Sequence, residues 1–443
     1  MSIALNVRTT LKQTSSLCPV CRRDIPAEVY EADGRVFLAK TCPEHGDFDV
    51  LINSDRRLYY DSLGANSDCG CAAACADAPG APPIGHDPAI IEKTSTCIAL
   101  IEIVESCNLK CPTCYADSAY SSQVTALPLE DFEQRIDRVT SRKGPIDILQ
   151  LSGGEPTIHP RFHDLLAGVL VRDDVGYTLI NTNGVRLARD PDFVKALGAL
   201  HDRHRKFEVY LQFDGPQETG QIALRGADFR SVRTDAVARC QSIGVPVTLA
   251  MTVTGDNAAH VGDALRWGLA RENVRGLTLQ PMFGSGRTHW TDADGPAPRH
   301  DRLNVADMVA GLIEQSDGLL GERDFTPLPC GNPNCHTIGY LLRRDGQVVP
   351  VSSLIDFSKV QGFLEDRIDF NIEDLQQCGC ESEPLGQLLR QLEIGPANVF
   401  RIFIKPFMDA WTYDQDRIDR CCVHVVGEGG RLESFCRHYA MRG

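Results

Sequence analysis

The chain has 443 residues, 42% of them apolar, and a formal charge of −15. That length predicts two or three domains with ordinary cores. The acidic balance, with no stripe of Lys and Arg, excludes duplex nucleic acid as the main partner, because phosphate binding needs clustered cations. The first twenty residues lack the apolar core of a secretory signal, and no window offers the uninterrupted apolar run of a membrane span, so the expectation is a cytoplasmic protein. The 18 cysteines are a large excess. In a reducing compartment, thiols at short spacing point to metal or cluster ligands rather than disulfides. Only isolated Cys240 fits a small buried hydrophobe well.

In chain order, residues 1–60 carry Cys18-Pro-Val-Cys21, alternating apolar stretches, and Cys42-Pro-Glu-His45. This predicts a small β-rich module whose four ligands make a tetrahedral site for zinc or mononuclear iron. Residues 61–96 are rich in Ala, Gly and Pro and read as a linker that holds Cys69, Cys71 and Cys75, with Cys97 just after it. Residues 97–290 alternate apolar runs with helical periodicity. Strands are predicted at 97–104, 146–153, 176–183, 207–214, 247–254 and 276–283, with helices between them, such as the one carrying Leu129, Phe132, Ile136 and Val139. Six such units predict an α/β fold, a partial parallel (β/α)6 barrel with right-handed crossovers and its chemistry at the carboxyl ends of the strands. Residues 291–443 show weaker periodicity and form a cysteine-rich C-terminal auxiliary domain. It contains Cys330, Cys335, the Cys378-Gly-Cys380 pair, Cys421, Cys422 and Cys436.

Just past the first strand of the barrel lies ESCNLKCPTCYADS, which places Cys107, Cys111 and Cys114 in a C-x3-C-x2-C spacing with no fourth thiol beside them. A four-iron cube usually takes four thiolates. Three leave one iron open, and an open coordination position is what lets a metal site bind a substrate. A structural zinc site would need a second ligand pair, and none stands at the expected distance. After the next strand comes Gly153-Gly154-Glu155-Pro156.

The triad together with the GGEP segment resembles the radical S-adenosylmethionine superfamily. That resemblance implies a [4Fe-4S] cluster on Cys107, Cys111 and Cys114, with S-adenosylmethionine chelating the open iron. It also implies reductive cleavage to a 5′-deoxyadenosyl radical that takes hydrogen from an unactivated carbon. Gly153, Gly154 and Glu155 would hold the methionine amino group, the glycines allowing close backbone approach to the ligand. Asn181, Thr182, Asn183, Gln212, Asp214 and Gln280 would supply ribose, carboxylate or substrate contacts. Many members place an aromatic residue before the third cysteine. Here Thr113 stands there, and Tyr115, just after, takes the adenine-side role.

CPVC and TCPEHG at the front, LQFDG and PCGNPNC further on, FIKPFMDAWTYDQDRI, and CCVHV followed by FC at the end resemble one branch, that of class D pterin-dimethylating methyltransferases and tetraether lipid synthase. Those relatives carry a C-x3-C-x2-C before the core, where this chain has SDCGCAAACA. The branch implies a small-molecule or lipid substrate and a reductant such as flavodoxin or ferredoxin. It also implies methyl transfer from a reduced folate or pterin donor, with Asp214 or Asp409 as pterin contacts. Radical coupling of lipid chains ranks second. A peptide-maturing enzyme and a non-enzymatic electron carrier are the alternatives of other classes. Cys69, Cys71, Cys75 and Cys97 form one candidate auxiliary cluster set. Cys330, Cys335, Cys421 or Cys422, and Cys436 form another, for which Cys378 and Cys380 are substitutes.

Overall fold

The computed structural model describes residues 8–60, 85–288, 302–328, 331–344, 346–354 and 398–442. At the front, β1 (Thr9–Leu17), β2 (Asp24–Ala32), β3 (Arg35–Cys42) and β4 (Gly46–Asn53) form a four-stranded antiparallel meander. Alternation along these strands buries Val29, Val36 and Leu38 beneath Tyr59. So small a core holds little stability by itself.

The six strands that follow are β5 (Ile98–Val104), β6 (Ile146–Gly153), β7 (Val175–Thr182), β8 (Phe207–Gln212), β9 (Val247–Val253) and β10 (Val274–Pro281). Each pairs in parallel with the next. Their apolar runs are buried on both faces, as a strand covered by helices on one side and curled around a core on the other must be. The helix Leu129–Lys143 turns Phe132, Ile136 and Val139 onto the sheet, and Phe162–Leu170 does the same with five residues. The fourth strand ends at Gln212, two residues before the sequence expectation. Asp214 adopts a left-handed φ of 59° and Gly215 one of 97°, which turns the chain away from the ladder.

The C-terminal residues add strands to both edges of this sheet, which reaches twelve strands among the described residues. At one edge, β11 (Thr337–Arg344) pairs antiparallel with β12 (Gln347–Pro350) and with β13 (Val399–Ile404), and β13 lies parallel to β10. At the other, β14 (Val423–Val426) lies parallel to β5 and pairs antiparallel with β15 (Leu432–Ser434). Ile338, Tyr340 and Phe403 from one edge share an apolar cluster with Ile98, Val423 and Val425 from the other. The sheet is therefore curled until its edges meet through side chains.

The N-terminal meander is tied to the segment before β14. Lys12 bridges Asp414 at 2.8 Å and Asp416 at 2.7 Å, Thr14 donates to Asp414 at 2.8 Å, and Lys40 donates to the carbonyls of Ala410 and Trp411. Asp414 is 2% exposed, so its loss leaves the Lys12 ammonium short of a buried partner. Asp414→Asn is expected to lower unfolding stability by about 3 kcal/mol, read from urea denaturation. A midpoint equal to that of the unsubstituted protein would show that the two segments are not energetically joined.

Candidate active site

Between β5 and the helix Leu129–Lys143 the chain makes the loop that carries Cys107, Cys111 and Cys114, and all three line one cavity at the carboxyl ends of the parallel strands. The loop is fixed by partners far away in sequence. Cys114 exchanges two backbone hydrogen bonds with Arg287, and the Arg287 guanidinium donates to the carbonyls of Cys111 and Ser118 and pairs with Asp117 at 2.8 Å. Arg225 donates to the Thr113 carbonyl at 3.1 Å. Asn183 Nδ2 reaches Asn108 Oδ1 at 2.6 Å, which joins the loop to the end of β7.

Gly153 and Gly154 line the same cavity, but what makes them glycine is the neighbouring chain. A Cβ on Gly153 would stand 2.1 Å from the Val104 carbonyl oxygen, and one on Gly154 2.0 Å from that of Ser106. Gly153 also has a φ of +114°. The neighbouring chain thus gives a reason for glycine at both positions besides the ligand approach expected from the sequence. Glu155 then turns inward at 1% exposure. Its carboxylate accepts from the Thr157 N–H and hydroxyl, the Thr182 hydroxyl and the Asn183 N–H. Burial pushes its pKa up and these donors pull it back.

Asn181, Asn183, Gln212 and Gln280 all line the cavity; Asn181 is held by Gln150 at 2.6 Å and Gln280 donates to the Tyr210 hydroxyl at 2.8 Å. Asp214 is not among the lining groups. It is wholly buried and paired with Arg225 at 2.7 and 2.9 Å. Asp409 is likewise wholly buried, on Arg302 and the N–H of Gly284. Neither carboxylate reaches the cavity as a pterin contact would have to. The Tyr115 ring lies 4.8 Å edge-on to Tyr439, 5.7 Å from Phe435 and 6.1 Å from Phe283, while Phe407 and Phe435 lie 4.4 Å apart. Tyr115, Phe283, Phe407 and Phe435 thus make an aromatic wall of the cavity.

Among the described residues, ligand atoms converge within 4.8 Å only at Cys18, Cys21, Cys42 and His45. The Cys21 and Cys42 sulfurs are 3.9 Å apart, and His45 Nδ1 is 3.6 Å from Cys18 and 3.4 Å from Cys42. A tetrahedral ion with bonds near 2.3 Å requires edges of about 3.8 Å, so the set suits a single ion. The sulfurs of Cys107, Cys111 and Cys114 line one cavity without converging that closely, which suits a polynuclear cluster rather than one ion. Burial pushes the Cys107 thiol up to about 12. A thiolate there needs adjacent positive charge of the kind that iron supplies.

Cys335, Cys421 and Cys436 lie in one another's electrostatic field beside buried Arg417, also without converging on one ion. Burial, opposed by Arg417, pushes Cys436 up to about 12. Cys422 instead faces Lys405, and Cys97 is buried next to it, its N–H bonded to the Cys422 carbonyl. Cys69, Cys71, Cys75, Cys330, Cys378 and Cys380 lie outside the described residues.

Sequence reasoning missed Arg225, Arg233 and Arg287. Arg225 and Arg233 stabilise negative charge at Cys111, and Arg287 clamps the loop. No motif marks them, since their partners lie 11 to 176 residues away.

Two family models match. Residues 10–54 match the HMPTM N-terminal zinc ribbon domain and residues 101–268 the radical SAM superfamily. The chain is 28% identical to 7,8-dihydro-6-hydroxymethylpterin dimethyltransferase of Methanocaldococcus jannaschii, across 96% of this chain and 93% of that one. It is 27% identical to Fe-coproporphyrin III synthase of Methanosarcina barkeri across 37% of this chain and 39% of the other. Among solved structures, SuiB of Streptococcus suis bound to S-adenosylmethionine aligns with a TM-score of 0.38 at 16% identity, covering 51% of this chain and 47% of that one. Residues 101–268 are therefore a radical SAM domain, that of an enzyme, and along nearly its whole length the chain resembles the pterin dimethyltransferase.

Proposed function

We propose that the protein is a class D-like methyltransferase, which moves a one-carbon unit from a reduced folate or pterin donor to an unactivated carbon of a small planar substrate. The observation that carries this reading is the similarity to the M. jannaschii pterin dimethyltransferase, because it runs through the ribbon, the sheet and the C-terminal strands together. The cavity supports it. Amides of Gln150, Asn181, Gln212 and Gln280 and the aromatic rings line it together, a combination suited to a flat heterocycle with hydrogen-bonding edges. Coupling two long alkyl chains would ask for an elongated apolar groove, and these amides interrupt one.

Cys107, Cys111 and Cys114 are the residues to hold a four-iron cluster, which with S-adenosylmethionine bound supplies a carbon radical by one-electron cleavage of the sulfonium. The chain's own contribution is placement and exclusion. The edge formed by Gly153, Gly154 and Glu155 and the amides of Asn181, Asn183 and Gln212 orient the ligand at the strand ends. Tyr115, Phe283, Phe407 and Phe435 keep water from the reacting carbon, which a radical step requires. Zinc is the proposed ion at Cys18, Cys21, Cys42 and His45. Cys335, Cys421 and Cys436 are the proposed ligands of an auxiliary cluster, chosen over Cys422 by their mutual field. A low-potential flavodoxin or ferredoxin would serve as reductant.

Each of Cys107→Ala, Cys111→Ala and Cys114→Ala is expected to abolish formation of 5′-deoxyadenosine by the reduced protein while metal analysis still finds the N-terminal ion. If Cys18→Ala alone stopped cleavage, the active centre would lie in the ribbon. The transfer itself is tested by incubating the anaerobic, reduced protein with S-adenosylmethionine, 6-hydroxymethyl-7,8-dihydropterin and a reduced folate carrying a 13C one-carbon unit. Mass spectrometry should show a pterin heavier by a labelled methyl group. A methyl group that carries no label would rule out the folate as donor.

A further inference from the structure

One charged group of the cavity has no part in the chemistry above. Lys405 follows β13, and its backbone N–H is pinned to the Leu279 carbonyl at 2.9 Å, so its position is set by the sheet. Its side chain lines the cavity together with Phe283, Phe407 and Val423. Among the described residues its Nζ makes no ion pair and no hydrogen bond, and it lies 5.6 Å from the centroid of the Phe403 ring. The groups that act on it are the Cys422 thiol, Arg401 on the preceding strand and the ring of His336. None of these offers a carboxylate.

Several other buried cations among the described residues have partners. Arg225 has Asp214, Arg302 has Asp409, Lys12 has Asp414, and Lys40 has two carbonyls. An ammonium that lines the cavity with no carboxylate beside it is left without a counter-charge. Burial, helped by Arg401 and opposed by Cys422, accordingly lowers the Lys405 pKa to about 8, which still leaves it mostly cationic at neutral pH.

We propose that Lys405 anchors an anionic oxygen group of the substrate, so that the molecule held against the aromatic wall is a planar ring bearing a carboxylate or a phosphate ester. The inference rests on the cavity being the substrate site of the proposed methyltransferase, and it narrows the class of substrate. The ring stacks on the wall formed by Phe283, Phe407 and Phe435, and the anion reaches the ammonium in a charge-assisted hydrogen bond. The group would supply what Lys405 lacks, a counter-charge beside its ammonium.

The test measures binding of two probe pairs to the reconstituted full-length protein with S-adenosylmethionine present. One pair is pterin-6-carboxylate and 6-hydroxymethylpterin, the other 2-naphthoate and 2-naphthalenemethanol. The anionic member of a pair should bind at least tenfold more tightly than the neutral one. Lys405→Met should erase that preference and Lys405→Arg retain most of it, with the affinity for S-adenosylmethionine unchanged in both. Iron content and melting temperature report whether the variants fold. A charge preference with naphthoate alone, lost in Lys405→Met, would uphold the anchor and overturn the pterin reading. No charge preference in the unsubstituted protein, a preference that survives in Lys405→Met, or a loss of S-adenosylmethionine affinity in its place would overturn the anchor.

Discussion

The carbonyl oxygens of Val104 and Ser106 set how closely β6 can run past the start of the cysteine loop, and everything at the site follows from that contact. With no Cβ on Gly153 and Gly154, the Gly154 and Glu155 N–H groups bond to those carbonyls at 2.8 and 3.0 Å. Glu155 is thereby delivered to a point where one carboxylate binds groups of Thr157, Thr182 and Asn183, locking the end of β6 to the end of β7. Asn183 in turn holds Asn108 of the loop. The position of three thiols thus traces back to two missing methyl groups on the neighbouring strand.

Buried charge organises the other side of the loop. Arg225 and Arg233 are both nearly inaccessible, and only Arg225 has a full carboxylate partner, in Asp214. Burial lowers the Arg233 pKa to about 10, with Asp214 acting against it. Two guanidinium groups behind Cys111 are costly for the apoprotein alone. They would become favourable if thiolates and an iron–sulfur core brought negative charge to the same place. A buried arrangement that is poor for stability and good for a bound anion is characteristic of a functional site.

The sheet was legible in the sequence because a parallel strand buried on both faces must be an apolar run bounded by polar residues. The predicted span 146–153 is the observed one, and the others differ by at most two residues at either end. The cysteine loop was legible because its ligands are local in sequence. The edge strands were not. β13 meets β10 and β14 meets β5 across more than a hundred residues, a pairing that no local pattern encodes. The same limit hid Arg287, Arg225 and Lys405, whose roles exist only once distant segments are brought together. Asp214 and Asp409 misled for the complementary reason. A carboxylate near a strand end looks like a ligand in sequence, yet each is consumed by a guanidinium that only the fold supplies.

Placing C-terminal strands on both edges does more than widen the sheet. It brings Phe407 and Phe435, from segments on opposite edges, to 4.4 Å of each other and makes them part of the aromatic wall of the cavity. Cys436 follows Phe435 directly, and its sulfur accepts the N–H of Met408, the residue after Phe407. Cys421 lies two residues before Val423, another lining residue of the cavity. The C-terminal thiol set therefore stands immediately behind the wall, and both rings of the Phe407–Phe435 pair are bonded in sequence to residues that form or contact it. Cores are close-packed and transmit displacement. Packing behind Phe407 and Phe435 consequently limits how far the two rings can move apart, so the segment of Cys436 and the cavity wall form one packed unit.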